Sequence, residues 1–309
     1  MKARIFWGCL IAYCALLIAA PFMPMEWSLH AMFTIMPPYL MLFPLWLVAI
    51  VGFARKETWK RASRVAVGVM VVSIFTLDFR WSDGRNDVEG IQVMSFNVLV
   101  SNDSIPELAN FVKKQEVDLV FLQENSGGPG KELRAALPDW HFFEAKKNMI
   151  ASRYPIVKSE AIPLCSFPKT RAILTAEIDA HGTRYRAVET HLSAPQMSAL
   201  RGGWGKVMGD KVGELDQIRQ VLASSNLPTI FGGDLNSPPR YGLVRALCES
   251  YTNAFDKVGT GLGFTYPAGL PIILIDHLYS RGFNVLSAEV GPHLGSDHRP
   301  LLARFRFPD

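Results

Sequence analysis

The segment Gly232–Pro239 constrains the fold of this chain more than any other part of the sequence. A mainly apolar run, Pro228–Phe231, leads directly into two glycines, an acid, an amide and then two prolines. Because proline cannot continue the hydrogen bonding of a strand, this pattern predicts a buried strand that ends in a polar loop. Asp234 and Asn236 are two positions apart, so in an extended backbone both side chains point to the same side. One can bind a water or a metal while the other orients it; an ordinary turn, which favours the same residue types, is the alternative.

Apolar residues are unevenly distributed along the chain. They make up 49% of its 309 residues, and the mean hydropathy is +0.14, but the excess is concentrated in residues 1–80. The rest has the mixed composition of a soluble domain. The sequence therefore predicts a membrane anchor over residues 1–80, a polar linker over 81–90 and a globular domain over 91–309. The net charge of +4 is too small to indicate a nucleic-acid-binding protein, and it neither requires nor excludes a phosphate substrate.

Three apolar runs, Ile5–Met25, Ala31–Ala54 and Ala62–Phe79, are predicted to cross a membrane as helices. A signal peptide is the alternative for the first run, but that run is long, lacks a clear small-residue cleavage site and is followed by a second apolar run. The third run is the shortest. If it lies on the membrane surface instead of crossing it, the globular domain would be cytoplasmic.

The basic residues around these runs predict their orientation. The loop between the first and second runs contains no Lys or Arg, whereas basic residues precede the first run and separate the second from the third. The positive-inside rule then places the N-terminus in the cytoplasm, and three spans place the globular domain on the outer face of a bacterial inner membrane. The basic residues are Lys2, Arg4, Arg55, Lys56, Lys60, Arg61 and Arg64.

The globular region alternates strand patterns with helix patterns, which is the order of a layered α/β or α+β domain. A hairpin is predicted around residues 179–182, and residues 202–205 are predicted to form a loop. The predicted strands cover residues 91–96, 117–122, 172–178, 183–189, 228–231, 275–278, 284–289 and 301–307, and the predicted helices begin near Ser104 and cover 209–223 and 241–249.

Nearly all the polar residues with chemical potential fall where a strand pattern ends. Strand ends at one edge of a sheet lie side by side, so these side chains are expected to converge. Carboxylate and amide oxygens suit Mg²⁺, Ca²⁺ or Mn²⁺ better than Zn²⁺. Taken singly, each acid could be a solvated or turn-capping group and each histidine a structural one. The residues are Asn97, Glu124, His191, Asp234, Asn236, Asp276, Asp297 and His298.

The ordered set of motifs around these residues resembles the endonuclease/exonuclease/phosphatase superfamily. That superfamily includes pancreatic-type deoxyribonucleases, abasic-site endonucleases, neutral sphingomyelinases and inositol-polyphosphate phosphatases. Each motif is weak alone, but their order is specific, and they extend from about Ile91 to the C-terminus. The matching stretches are Met94–Asn97, Leu122–Glu124, Ser152–Ile156, Thr190–Leu192, Gly233–Asn236, Ile275–His277 and Ser296–Pro300.

The resemblance implies a four-layer α/β (α+β) sandwich of two β-sheets flanked by helices, with the site at one mouth of the sandwich. It also implies a divalent cation, Mg²⁺ with Mn²⁺ or Ca²⁺ as alternatives. Glu124 is then the principal metal ligand, with Asn97 and Asp297 beside it.

The resemblance also implies catalytic roles. Asp234 orients or deprotonates the attacking water, and Asn236 holds Asp234 or a phosphate oxygen. His298, steered by Asp276, and His191 stabilise charge on the phosphoryl oxygens or protonate the leaving group. The reaction is in-line displacement at phosphorus.

Two features separate this chain from the abasic-site endonucleases. Val98, Leu99 and Val100 follow Asn97, where many of those enzymes carry an acid, so a second metal position is in doubt. His191 stands where they tend to use a tyrosine, which favours the deoxyribonuclease, sphingomyelinase and phosphatase branches.

The predicted function is that of a membrane-anchored, metal-dependent phosphoesterase acting on nucleic acid or phospholipid. A nuclease should present a basic groove, and a lipid phosphodiesterase should present apolar loops; residues 195–211 contain both kinds of side chain. A catalytically silent scaffold that retains the fold is the alternative. It is disfavoured because clustered like charges do not help a chain to fold.

Overall fold

The computed structural model describes residues 2–19, 43–48, 60–61, 63–68, 70–71, 79–82, 89–166, 170–239, 242–247 and 249–308. The chain divides into two compact units. The first comprises Met1–Phe79 with Pro238–Arg245, and the second comprises Arg80–Ser237 with Ala246–Asp309.

The first unit contains the helix α1 (Lys2–Ala19) and shorter helical pieces, including residues 43–48 and 63–68. Leu10, Leu45, Ala66 and Met70 form its small apolar core. Among the described residues, none of the helices combines the length and the apolar character needed to cross a membrane. The three predicted transmembrane helices are therefore not confirmed; most of the second run and part of the third lie outside the described residues.

Two six-stranded sheets form the second unit. Its strands are β1 (Ile91–Asn97), β2 (Leu119–Gln123), β3 (His141–Ala145), β4 (Asn148–Ser152), β5 (Ile156–Pro163), β6 (Ala172–Ala180), β7 (Thr183–His191), β8 (Thr229–Asp234), β9 (Thr252–Asn253), β10 (Asp276–Arg281), β11 (Asn284–Val290) and β12 (Leu301–Arg306). Its helices are α2 (Leu108–Lys114), α3 (Gly128–Ala136), α4 (Pro195–Ala223) and α6 (Ala254–Val258), while α5 (Gly242–Leu247) is divided between the two units.

Both sheets are built on the same pairing scheme. The first has the order β11-β12-β1-β2-β4-β3 and the second the order β5-β6-β7-β8-β10-β9. Each has one central parallel pair, β1 with β2 and β7 with β8, flanked by antiparallel strands. This symmetry is not visible as a repeat in the sequence, because pairing geometry can recur while side chains differ.

Apolar side chains pack the two sheets face to face. Val93, Phe121 and Ile150 of the first sheet share one cluster with Leu174 and Ile230 of the second. The other face of the first sheet is buried under α2 and α3 by a second cluster. Helix α4 lies against the second sheet, where the guanidinium of Arg186 on β7 donates to the carbonyl of Val221 at 2.6 Å. The predicted arrangement of two sheets flanked by helices is confirmed.

Several predicted boundaries were wrong. Residues 202–205, predicted as a loop, lie within α4, although Gly203 has a φ of 69° and departs locally from helical geometry. Helix α2 begins at Leu108, because the Ser104 hydroxyl is bonded to the Glu132 carboxylate instead of capping a helix. The elements α3, α6, β3, β4, β5 and β9 were not predicted.

The register brings the predicted functional residues to one edge of each sheet. In the first sheet Asn97 is paired with Gln123, which directly precedes Glu124. In the second, Asp234 is paired with His191 on one side and Asp276 on the other. These strand ends form the mouth of the sandwich.

Candidate active site

Asp234 is the centre of the site and only 1% exposed. Its Oδ2 accepts hydrogen bonds from the Asn97 side-chain amide at 3.0 Å and the Asn236 amide at 3.2 Å, and its Oδ1 accepts from the Asn236 backbone N–H at 2.8 Å. The Asn236 amide also donates to the Leu192 carbonyl at 3.0 Å. Since Asn97 belongs to the first sheet, Asp234 joins both sheets at the mouth.

His298 lies between two carboxylates. Its Nδ1 is 2.9 Å from Asp276 Oδ2, and its Nε2 is 3.8 Å from Asp234 Oδ2. Burial lowers the pKa of His298, but the charges of Asp276, Asp234 and Asp297 and the bond to Asp276 outweigh burial and raise that pKa to about 10. His298 is therefore an imidazolium at neutral pH.

His191 carries the opposite protonation state. Its Nε2 lies 3.5 Å from Asp234 Oδ2 and 3.8 Å from Glu124 Oε1. Burial lowers the pKa of His191 to about 3, and the positive charges of Arg171, His298 and Lys211 reinforce this against the pull of Asp234. The site thus combines one neutral and one protonated histidine. Two titratable groups whose pKa values are pushed apart in this way can serve different roles in acid–base chemistry.

Glu124 follows β2 in a left-handed backbone conformation, with a φ of 57° that non-glycine residues rarely adopt. Its Oε2 accepts the Val100 N–H at 2.9 Å, and the nearby Asn97 Oδ1 accepts the Leu99 N–H at 3.0 Å. The side chain of Glu124 is 26% exposed, so this carboxylate faces the opening of the mouth.

Oxygen donors of the site fit a hard divalent cation. Glu124 supplies a carboxylate, Asn97 an amide oxygen, and the partly exposed Asp297 a second carboxylate whose charge acts on His298. Asp234, Asp276 and His298 also lie close enough to hold a metal, with ligand atoms within 4.8 Å of one another. We assign these three to a hydrogen-bonded charge triad instead, because a protonated imidazole has no lone pair for a metal.

Seven of the eight predicted site residues form one network of direct contacts around Asp234; Asp297 adjoins His298 in the chain. Two further residues of the site were not predicted. Tyr266 places its ring 4.8 Å from that of His298, centroid to centroid. Lys211 is fully buried and donates to the Leu235 carbonyl at 2.9 Å.

The sequence did contain a signal for Lys211. This lysine is in register with Leu215, Ile218 and Leu222 on the apolar stripe of its helix, a position where a cation is unexpected. Burial lowers the pKa of Lys211 to about 8, although Glu214 and Asp234 act to raise it.

A family model described as the Endonuclease/Exonuclease/phosphatase family matches residues 94–298. The chain belongs to this family. The match covers every residue of the network around Asp234.

Solved structures share the fold of this family member. A humanized D. rerio TDP2 with 14 mutations is 18% identical, with a TM-score of 0.60 over 70% of this chain and 98% of that chain. A family protein from Bacteroides thetaiotaomicron is 16% identical, with a TM-score of 0.59 over 72% and 99%. A mannosyl-6-phosphatase from the same species is 16% identical, with a TM-score of 0.56 over 70% and 100%. No curated protein was matched.

Proposed function

We propose that this chain is a divalent-metal-dependent phosphoesterase that hydrolyses phosphodiester or phosphomonoester bonds by in-line attack of an activated water. One observation carries the proposal: Asp234 is buried between a neutral and a protonated histidine, with amides from both sheets fixing its carboxylate. Buried charges rarely add net stability even when they are paired, so folding alone does not account for this arrangement.

The residues divide the proton transfers between them. Asp234 orients the attacking water and accepts its proton as the oxygen bonds to phosphorus, and Asn236 keeps the Asp234 carboxylate in place. The imidazolium of His298, held by Asp276, gives a proton to the oxygen of the departing group. The neutral His191 donates a hydrogen bond to a phosphoryl oxygen.

Glu124, Asn97 and Asp297 would hold the metal, for which Mg²⁺ is our first choice and Mn²⁺ and Ca²⁺ are alternatives. Such an ion neutralises charge on the phosphoryl group. The residues that carry protons, Asp234 and His298, are not members of this set. Because Asn97 bonds to Asp234 and Asp297 acts on His298, Glu124 is the ligand whose substitution best separates metal binding from proton transfer.

We propose nucleic acid or phospholipid as the substrate class. Relatives of this fold act on different esters: one D. rerio TDP2 structure contains a single-strand DNA product, and another relative is a mannosyl-6-phosphatase. We also propose, from the three apolar runs and the basic loop alone, that residues 1–80 anchor the chain in a bacterial inner membrane with the catalytic domain outside the cytoplasm. A C-terminal reporter that is active only outside the cytoplasm tests the orientation.

The decisive assay uses the full-length protein in detergent with Mg²⁺ or Mn²⁺. Bis-p-nitrophenyl phosphate and p-nitrophenyl phosphate separate diesterase from monoesterase activity, and DNA, RNA and phospholipids define the natural class. Asp234→Ala and His298→Ala should abolish turnover, whereas Asp216→Asn, on the exposed face of α4, should not. Equal turnover by the wild type and both site variants would remove the catalytic assignment.

A further inference from the structure

A carboxyl group without a charged partner lies between the two sheets, close to the mouth. Glu189 on β7 is completely buried, two positions before His191. Its Oε1 accepts hydrogen bonds from the Gln123 amide at 3.0 Å and the Asn148 amide at 3.0 Å, and its Oε2 accepts from Asn148 at 2.8 Å. Gln123 ends β2 and Asn148 begins β4, so this contact fastens the second sheet to the first.

The electrostatic surroundings favour a neutral Glu189. Across the described part of the chain, no charged side chain of a neighbouring strand acts on its carboxyl: burial raises the pKa of Glu189 well above its usual value, and only the bonds from Gln123 and Asn148 lower it. Toward the mouth, the next titratable residues along the two strands are His191, two positions after Glu189, and Glu124, directly after Gln123. An ionised carboxylate in this position would be a buried charge without a counter-charge.

The hydrogen-bonding groups around Glu189 independently indicate that its carboxyl is protonated. Gln123 Oε1 and Asn148 Oδ1 are both buried without a hydrogen-bond partner among the described residues. An ionised Glu189 can only accept, so it leaves both oxygens unsatisfied, whereas a protonated carboxyl has one O–H to donate. Because the oxygen and nitrogen of an amide are exchanged by a rotation, one amide can accept this O–H while the other continues to donate.

We propose that Glu189 is a positioning residue that keeps its proton at neutral pH, and that the neutral clamp Gln123–Glu189–Asn148 fixes the separation of Glu124 and His191 across the mouth. The proposal rests on the proposed function, because Glu124 and His191 are the groups being positioned. Glu189 and His191 are two apart on one strand and therefore point to the same face, and Gln123 is adjacent to Glu124. A shift of the clamp would change the 3.8 Å approach of His191 Nε2 to Glu124 Oε1.

The protonation state is tested on full-length protein without reference to activity. Thermal unfolding of the wild type and of Glu189→Gln is compared from acidic to alkaline pH. A carboxyl with a raised pKa in the folded state contributes stability that is complete below its unfolded pKa and is lost as pH rises toward the folded pKa. Glu189→Gln, which mimics the protonated acid, should therefore gain stability relative to the wild type as pH rises. A constant loss of stability at every pH above the ordinary carboxyl range would show that Glu189 is ionised.

The positioning role is tested by turnover. Glu189→Gln should keep kcat within about twofold, whereas Glu189→Leu should lower kcat by about 10-fold to 100-fold with little change in KM. If the leucine variant fails to fold, Gln123→Met takes its place, because it removes one amide at similar volume. It should likewise lower kcat with little change in KM. Wild-type kcat in folded variants that lack the clamp would overturn the positioning role. If the wild type has no phosphoesterase activity, the proposed function fails while the unfolding comparison still decides the protonation state.

Discussion

The two ends of strand β2 place carboxylates in opposite electrostatic settings. Before the strand, Asp118 Oδ2 accepts the Gln92 N–H at 2.9 Å, and its Oδ1 is 3.2 Å from Arg153 Nη1. After the strand, the Glu124 carboxylate accepts one backbone N–H, that of Val100, and its Oε1 lies 3.8 Å from Nε2 of the neutral His191. The first end pairs its acid with an arginine, although burial still raises the pKa of Asp118, and the second leaves the Glu124 carboxylate partly exposed to a ligand.

This difference separates a structural carboxylate from a functional one better than burial does. Asp118 and Asp234 are both buried, at 5% and 1% exposure. At the mouth, Glu124, Asp234 and Asp276 are instead bonded to backbone or side-chain amides and to histidines. Acids clustered in this way are typical of functional sites. Substitutions of these acids, including Asp234 at the end of β8, test this difference.

The largest effect is expected from matched acid-to-amide substitutions. Asp234→Asn should lower kcat by about a thousandfold, because the group that orients and deprotonates water is lost. Asp118→Asn should instead lower the free energy of unfolding by about 1–3 kcal/mol while kcat stays within about twofold. Steady-state kinetics and denaturant unfolding of both variants provide the test. A large loss of kcat in Asp118→Asn would remove the distinction between the structural carboxylate and the functional one.

The next effect concerns the charge of His298. Asp276→Asn removes the carboxylate that holds the imidazolium, so kcat should fall by about a hundredfold and the alkaline limb of the pH–rate profile, set by the His298 pKa of about 10, should move to lower pH. His298 is more basic in the folded than in the unfolded chain. Its stabilising contribution is therefore complete below its unfolded pKa and lost as pH rises toward the folded value. The free energy of unfolding should therefore vary less with pH across this range in Asp276→Asn than in the wild type. An alkaline limb that does not move would contradict the assignment of His298 as the proton donor.

A smaller effect is expected at the opening of the mouth. Glu124→Gln removes one negative charge from the proposed metal ligands, so the Mg²⁺ concentration for half-maximal activity should rise by at least about tenfold. Asp216→Asn provides the matched control, because Asp216 is exposed and pairs with Arg219 on the surface. Identical Mg²⁺ titrations of wild type and Glu124→Gln would exclude Glu124 as a ligand.

The smallest effect is expected from Lys211→Met, which changes kcat by less than about tenfold because Lys211 acts through other groups. Its positive charge lowers the pKa of His191, so the variant should shift the acid limb of the pH–rate profile to higher pH. In the wild type, the pKa of Lys211 is lowered to about 8, so stability should rise with pH between that value and the ordinary lysine pKa. Lys211→Met should not show this increase of stability with pH. If the increase persists in the variant, another group causes it.

Sequence patterns predicted most of the framework because its signals are local. The buried strands β1, β2 and β8 show apolar runs, and the hairpin between β6 and β7 turns at His181 and Gly182, both with positive φ. Strand β5 was missed because its side chains are mainly exposed and carry no apolar alternation. The loop predicted at residues 202–205 failed because glycines were given more weight than the helix on both sides of them.

For the candidate site, the residue types and their positions at strand ends came from the sequence alone. Their pairing, with Asn97 bonded to Asp234 across the two sheets, depends on how the sheets pack and has no local signal. Lys211 and Glu189 were overlooked because a charged residue within an apolar pattern is ordinarily exposed.

By itself, the sequence determined most of the buried strands and the chemical groups that stand at their ends, because periodicity and turn residues act over a few positions. The tertiary structure alone decided the charge of each group. His191 and His298 have the same side chain and are similarly buried, yet one is neutral and the other protonated, because the carboxylates around each come from distant segments.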